Sequence, residues 1–345
     1  MYENESDGVE LAIQRISPWA RGDRAAPMVV TEHVDSLDWL ANPATGLVGP
    51  DTLVLCAVDR RVTPKLPDGP GTWVRGAGAI GGPGDDVGIG SDFYLETVDY
   101  AAVHRLGVVG PTVVRVTSAA DAELLLSDIE RTLATGDVPA ALLHRSVEIG
   151  DQCALVRASQ CAGSRLERVH LDRAGLIRSS PVGRVLGTAG DDVAAVRSAA
   201  QAGDDPCLDE PAAAVIAAVP DDRVGAFVAG LRATRTLSRR YPGHWAVVAG
   251  RNALLSHRSS RGPRAGRVLL TDGTGYVLSD AECTRTFRVG RAVAEVVEAI
   301  LTSGSAHEAA QLLRAHGTAS RTADEIEQFR LSCAQRGLEL THAVA

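Results

Sequence analysis

Arg267-Val-Leu-Leu-Thr271, Asp272-Gly-Thr-Gly275 and Tyr276-Val-Leu-Ser279 form the stretch whose reading decides the fold of the C-terminal third. Two short runs rich in apolar and β-branched residues flank an Asp-Gly turn, the strongest short-range hairpin signal. Immediately downstream, Cys283, Arg285, Phe287 and Val289 alternate along one face of an expected third strand. Three helical segments follow. In the first, Val293, Val296, Val297, Ile300 and Leu301 share one face at helical spacing. The second opens on Ser305-Ala-His-Glu308 and the third on Thr322-Ala-Asp-Glu325. Both match the capping box, in which side chain and backbone satisfy each other's free amides. Gly317 and Gly337 are placed as left-handed stops, with Leu338 set for apolar closure.

Upstream, residues 1–250 read as α/β. The expected strands are Val9–Ile13, Met28–Thr31, Thr52–Ala57, Thr112–Thr117, Arg168–Leu171 and Trp245–Val248. The expected helices are Ala119–Ala134, Asp191–Ala202 and Asp222–Leu237. The Gly-rich segment from Gly76 to Gly90 reads as loop and tight turns. Breakers around residues 203–210 mark an internal division of this region. The fold class is α+β: an N-terminal α/β region, 1–250, followed by a C-terminal winged-helix-like module, 251–345, of three strands and then three helices.

Composition narrows the function. The 345 residues carry a formal charge of -8, which opposes nucleic-acid binding unless a basic patch offsets it. Lys65 is the only lysine, so the abundance of arginine is a compositional bias. The densest basic stretch, Arg251 to Arg267, reads as a solvated loop. No apolar run reaches the length of a bilayer span, and the acidic start MYENESDGVE is neither a secretory signal nor a transit peptide. The expectation is a soluble, cytoplasmic protein. Six cysteines form no C-x-x-C pair and nine histidines no compact ligand set, so no metal or cofactor is expected.

Gly76-Ala-Gly-Ala-Ile-Gly81 spells a dinucleotide fingerprint, but Gly-Pro-Gly-Asp-Asp86 follows where a helix must begin. Asp85-Asp86 and Asp191-Asp192 are explained by a turn and a helix start. His307 and His316 are explained by their places at helix ends. No G-x-S-x-G elbow occurs, and no catalytic set stands out.

The run Gly275-Tyr-Val-Leu-Ser279, then Thr286-Phe-Arg-Val-Gly-Arg-Ala-Val-Ala-Glu-Val-Val-Glu-Ala-Ile300, resembles the family of PqqD, the pyrroloquinoline-quinone chaperone. Ser305 to Leu313 and the close with Ile326, Phe329 and Arg336-Gly-Leu338 add to that resemblance. Gly290 departs from it, standing where the family has Asn or a similar polar cap. The resemblance implies a RiPP recognition element, which binds the leader of a ribosomally made precursor peptide. Gly88-Ile-Gly-Ser-Asp-Phe-Tyr-Leu95 and Gly110-Pro-Thr-Val-Val-Arg-Val116 resemble the long recognition proteins of daptide-type peptide clusters. Carried over, the leader adds a strand to Cys283, Thr284, Arg285, Thr286, Phe287 and Arg288, opposite Ile326, Phe329, Arg330 and Cys333. The partners so implied are a precursor peptide and its modifying enzymes, with 1–250 as scaffold or docking region and no catalytic role. Two other readings stand beside it. One is a winged-helix DNA-binding regulator, which the 8 arginines, no lysine and 10 acids of residues 267–345 disfavour. The other is an enzyme subunit with its site in 1–250.

Overall fold

The computed structural model describes residues 3–23, 26–156, 166–202, 207–208, 210–218, 223–241, 243–248, 254–255, 267–280, 284–317 and 321–340. In chain order the first elements are α1 (Glu3–Arg21), β1 (Met28–Thr31), α2 (Leu37–Ala41), β2 (Leu53–Val58), β3 (Thr72–Gly78), β4 (Asp86–Ile89), β5 (Phe93–Asp99) and β6 (Thr112–Arg115). Next come α3 (Ala119–Thr135), β7 (Val147–Ile149), α4 (Gln152–Leu155), β8 (Arg168–Leu171), β9 (Leu176–Arg178), β10 (Val185–Thr188), α5 (Val193–Gln201) and α6 (Glu210–Ala217). The last are α7 (Arg223–Arg240), β11 (Ala246–Val247), β12 (Arg267–Thr271), β13 (Tyr276–Asp280), β14 (Thr286–Val289), α8 (Arg291–Thr302), α9 (Ala306–Ala315) and α10 (Ala323–Gln335). The chain divides into two compact units, residues 1–124 with 145–217 and residues 125–144 with 218–345. The protein is mixed α/β.

The first unit is built on a ten-stranded mixed sheet of order β10-β9-β8-β1-β2-β3-β4-β5-β6-β7. Strands β8, β1, β2 and β3 run parallel, as do β5, β6 and β7. β2 is an unbroken apolar run, Leu53-Val-Leu-Cys-Ala-Val58, buried at every position. That pattern belongs to a strand covered on both faces. One face receives α1, whose Ala12, Ile16, Trp19 and Ala20 pack with Met28, Val30, Leu53, Leu55 and Val113. The opposite face joins Val29, Val54, Val169 and Leu171 to Leu40 of α2 and to Val193, Val196 and Ala200 of α5.

The sheet curls around α1, and an ion pair proves the curl. Arg115 at the end of β6 and Arg168 at the start of β8 both bind the carboxylate of Asp151, at 2.5 and 2.6 Å. Five strands, β1 to β5, separate β6 from β8 in the sheet order. In a flat sheet that is six spacings of about 4.8 Å, roughly 29 Å, beyond the reach of two arginine side chains onto one carboxylate. The strands therefore wrap, and α1 fills the interior they enclose.

One expectation fails in this unit and a second holds only in part. Val9–Ile13 is not a strand but the middle of α1. Five residues of mixed apolar character read as β, whereas Val9, Ala12, Ile13, Ile16 and Trp19 over a longer window repeat at helical spacing. Gly76 to Gly90 is loop and turn only over 79–85 and at Gly90: β3 runs to Gly78 and pairs antiparallel with β4. The glycines serve the sheet instead. A Cβ at Gly76 would stand 3.1 Å from side-chain carbons of Leu55 and Val87, and Gly78 adopts φ +115 where a Cβ would lie 2.0 Å from the Asp86 carbonyl oxygen. The breaker stretch 203–206 lies outside the described residues.

The second unit carries an antiparallel sheet of order β11-β12-β13-β14. The Asp272 turn closes the β12–β13 hairpin as expected, its carboxylate accepting from the amides of Thr274 and Gly275 at 2.8 Å each. α7 packs on β12. On another face Leu269 and Leu278 join Ala294, Val297, Ile300, Leu301, Ala309, Leu313 and Ile326 from α8, α9 and α10 in one core. α8 begins at Arg291 with Gly290 as a cap that offers no side chain. Thr322 and Glu325 form a full capping box on α10. On α9 the Ser305 hydroxyl accepts from the Glu308 amide, while the Glu308 carboxylate takes the amide of Gly304. Most of 251–267 lies outside the described residues. Among the described residues no helix is long and apolar enough to cross a membrane.

Candidate functional site

Among the described residues strand β14 is the last of its sheet and bonds to β13 alone, with Leu278 opposite Phe287 and Tyr276 opposite Val289. Its alternation divides its side chains between two faces. Phe287 and Val289 pack on the core formed by α8, α9 and α10. Thr286 and Arg288 take the other face. The Asp280 amide donates to the Arg285 carbonyl at 3.2 Å, so Arg285 turns its backbone toward β13. Alternation then turns the N–H and C=O of Thr286 and Arg288 outward, to the side with no strand among the described residues.

The entry into β14 is pinned twice. The Asp280 carboxylate accepts from the amides of Thr284 and Arg285 at 2.7 and 3.2 Å. The Arg285 guanidinium donates to the Arg336 carbonyl at 3.1 Å, capping the end of α10 where the helix dipole favours a cation. Gly337, at φ +77, makes room for it: a Cβ there would fall 1.1 Å from Arg285 Nη1. The Leu338 amide closes α10 onto the Cys333 carbonyl at 2.9 Å, and Leu338 is buried.

The residues named from sequence separate into groups. Ile326 is core, 1% exposed, while Phe287, Phe329 and Cys333 are half-buried and pack on the same cluster. Burial pushes the Cys333 thiol up. Arg330 is held by Glu327 through two bonds of 2.6 and 2.9 Å. Arg285 is committed to α10 and Thr284 to Asp280. Arg288 is exposed, has no carboxylate partner among the described residues, and lies 5.2 Å from the ring centroid of Tyr241. Cys283 lies outside the described residues.

Sequence reading missed the groups that complete this face. Tyr241 and Trp245, with ring centroids 6.3 Å apart, precede β14 by more than forty residues. Trp245 joins Arg288, Val277, Tyr276 and Gly290 around a cleft of about 320 Å³. No local signal tied these aromatics to β14, because only the strand order of the folded sheet unites them.

In the first unit the dinucleotide fingerprint meets a carboxylate. Glu32, following β1, accepts from the Ile80 amide at 2.8 Å, and a Cβ at Gly81 would stand 3.3 Å from the same Glu32 oxygen. Strand β4, not a helix, follows the motif. Glu32 further contacts His170 and Arg173, both at 3.3 Å, and Arg173 reaches Asp85 at 3.2 Å. Burial acts to raise Glu32, but His170, the Ile80 amide and Arg173 outweigh it and hold the carboxyl below its ordinary range. The Ile80 amide is turned to the Glu32 carboxylate and the Gly82 amide to that of Asp85. Comparison with protein-family models, with curated protein sequences and with solved structures finds no match for this chain.

Proposed function

We propose that the protein captures the leader of a ribosomally synthesised precursor peptide by strand addition to β14, and that the module formed by β12–β14 and α8–α10 is a winged-helix-like recognition element. The observation that carries this reading is the open edge of β14, where the amides of Thr286 and Arg288 have no strand to pair with among the described residues. An unpaired edge is a template for an extended chain, and alternate side chains of that chain enter pockets on either face. Here one face offers Phe287, Phe329 and Cys333 for an apolar residue. The other offers Arg288 beside Tyr241 and Trp245 for an acidic one. Of the three arginines near the strand, Arg285 and Arg330 are already engaged, so Arg288 is the cation left to read the peptide. The acidic first turn of α10, Asp324 and Glu325, disfavours insertion of that helix into DNA.

The remainder of the chain serves, in this reading, to dock the modifying enzyme, so that the bound peptide's reactive end is held at high local concentration. The reading gives the chain no catalytic role and places it in the cytoplasm. The test uses the full chain, because β11 and α7 pack against the recognition sheet and a cut at residue 250 removes both. A labelled leader from the same gene cluster is titrated against it, and against Phe329→Asp. Micromolar or tighter binding that Phe329→Asp removes, with enzyme binding retained, is the expected result. No binding at high micromolar concentration overturns the proposal.

A further inference from the structure

Arg115 and Arg168 are the largest side chains wholly buried in the first unit, at 0% and 1% exposure. A guanidinium stays charged in a protein. Among the described residues they share one carboxylate, Asp151, bonded through Arg115 Nη1 and Arg168 Nη2. Arg168 Nη2 also donates to the Ala20 carbonyl, and the guanidinium lies 5.0 Å from the ring centroid of Trp19. The remaining donors, Arg115 Nε and Nη2 and Arg168 Nε and Nη1, are buried without an acceptor. On Arg115 those two nitrogens lie along one edge of the guanidinium, the fork that binds an oxyanion through two parallel bonds.

The cluster is one positive charge in excess, in a place where an unpaired charge is strongly unfavourable. Burial acts to lower both guanidiniums. At Arg115 it prevails, while at Arg168 the attraction of Asp151 outweighs it and raises the group. Backbone packs closely beside both: a Cβ at Gly150 would stand 3.0 Å from Val113 and 3.3 Å from Arg115 Nη1, and one at Gly22 would stand 2.5 Å from Cys153 Sγ and 3.3 Å from Arg168 Nη1. Arg115 lies at the C-terminal end of β6, Asp151 two residues beyond β7 and Arg168 at the start of β8.

We propose that Arg115 and Arg168 form a binding site for a small oxyanion group, a carboxylate or a phosphate, which supplies the negative charge that Asp151 alone does not. The experiment follows the thermal midpoint of the full chain in inorganic phosphate, in acetate and in chloride at matched pH and ionic strength. An anion bound only by the folded state raises the midpoint in step with the logarithm of its concentration. The expected result is such a rise over chloride with phosphate or acetate, the larger rise identifying the group, and a matching heat of binding on titration. Equal midpoints in all three salts overturn the proposal. Asp151→Asn leaves two cations unpaired and increases the rise. Arg115→Met leaves Arg168 balanced by Asp151 and removes it. If Arg115→Met does not fold, the wild-type salt series and Asp151→Asn decide the matter. Cys153 and Cys207 lie within electrostatic reach of Arg168. The response therefore has to persist in the Cys153→Ser, Cys207→Ser double variant, and its loss there assigns the missing charge to a thiolate and overturns the proposal.

Discussion

The two sheets of this protein dispose of polar groups in opposite ways. The ten-stranded sheet curls until distant strands meet, and its unused donors, on Arg115 and Arg168, end up inside. The four-stranded sheet stops short, and its unused donors end up outside, on β14. Its other edge shows that this is not a general property of the small sheet: the Val247 amide of β11 donates to the Gly136 carbonyl at 3.1 Å. Among the described residues one edge of the small sheet is thus covered by its own chain and the other is left open, and an unpaired edge is a template for an added strand. The contrast teaches where each unit tolerates change. The curled sheet rests on a filled interior, while β14 is a short, half-exposed strand held at its entry by Asp280 and by the Arg285 bond to α10.

The largest effect is expected in the interior. Ile16→Asp places a charge among α1, β1 and β2, where Ile16 is fully buried. The cost is on the order of 4 kcal/mol or more, and denaturant unfolding of the full chain is expected to show the first unit already unfolded without denaturant. A mild loss would mean that the interior of the curl is not the tightly packed core described here.

Next in size is a pH dependence confined to the second unit. Glu298 of α8 is 3% exposed, and burial pushes its carboxyl up to about 7, against the opposing bond from the Leu255 amide. The folded state then holds a proton that the unfolded state releases above about 4.5. Stability therefore falls as pH rises between about 4.5 and 7, by on the order of 3 kcal/mol, and stays low above that range. Glu298→Gln is expected to flatten the fall and to raise the midpoint at pH 8. A wild-type midpoint that rises across this window contradicts the assignment.

Gly337→Ala is smaller, at about 1–2 kcal/mol, because φ +77 strains an L side chain and its Cβ displaces the Arg285 guanidinium. The comparison is sharpened by its secondary effect: with Arg285 loosened from α10, leader affinity drops alongside stability. Thr286→Pro is smallest for stability, since the amide it removes points away from β13 and edge strands accept proline there. It is expected to shift the melting midpoint by only a few degrees while weakening leader binding about tenfold.

Much of the second unit was legible because its signals are local. The Asp272-Gly turn, the Thr322–Glu325 capping box and the Gly317 and Gly337 stops each lie within four residues of the groups they satisfy. The first unit hid what long-range packing decides. The helical period of α1 was masked by a five-residue window, and β3 and β4 by glycines whose missing side chains admit Leu55 and Val87. The Arg115, Asp151 and Arg168 cluster had no sequence signature at all, since only the curl of the sheet brings it together. The candidate peptide face was half legible: Phe287 and Phe329 follow from periodicity, but Tyr241 and Trp245 reach Arg288 only through the strand order.

The central claim concerns two backbone amides. Hydrogen exchange at Thr286 and Arg288 is to be followed in the full chain, with and without a saturating leader peptide. Phe287, bonded to β13, serves as the internal reference. Strand addition predicts that the Thr286 and Arg288 amides exchange freely in the unbound protein and become protected with the leader, while Phe287 is protected in both. A leader that binds tightly yet leaves Thr286 and Arg288 exchanging as before contradicts capture at the β14 edge.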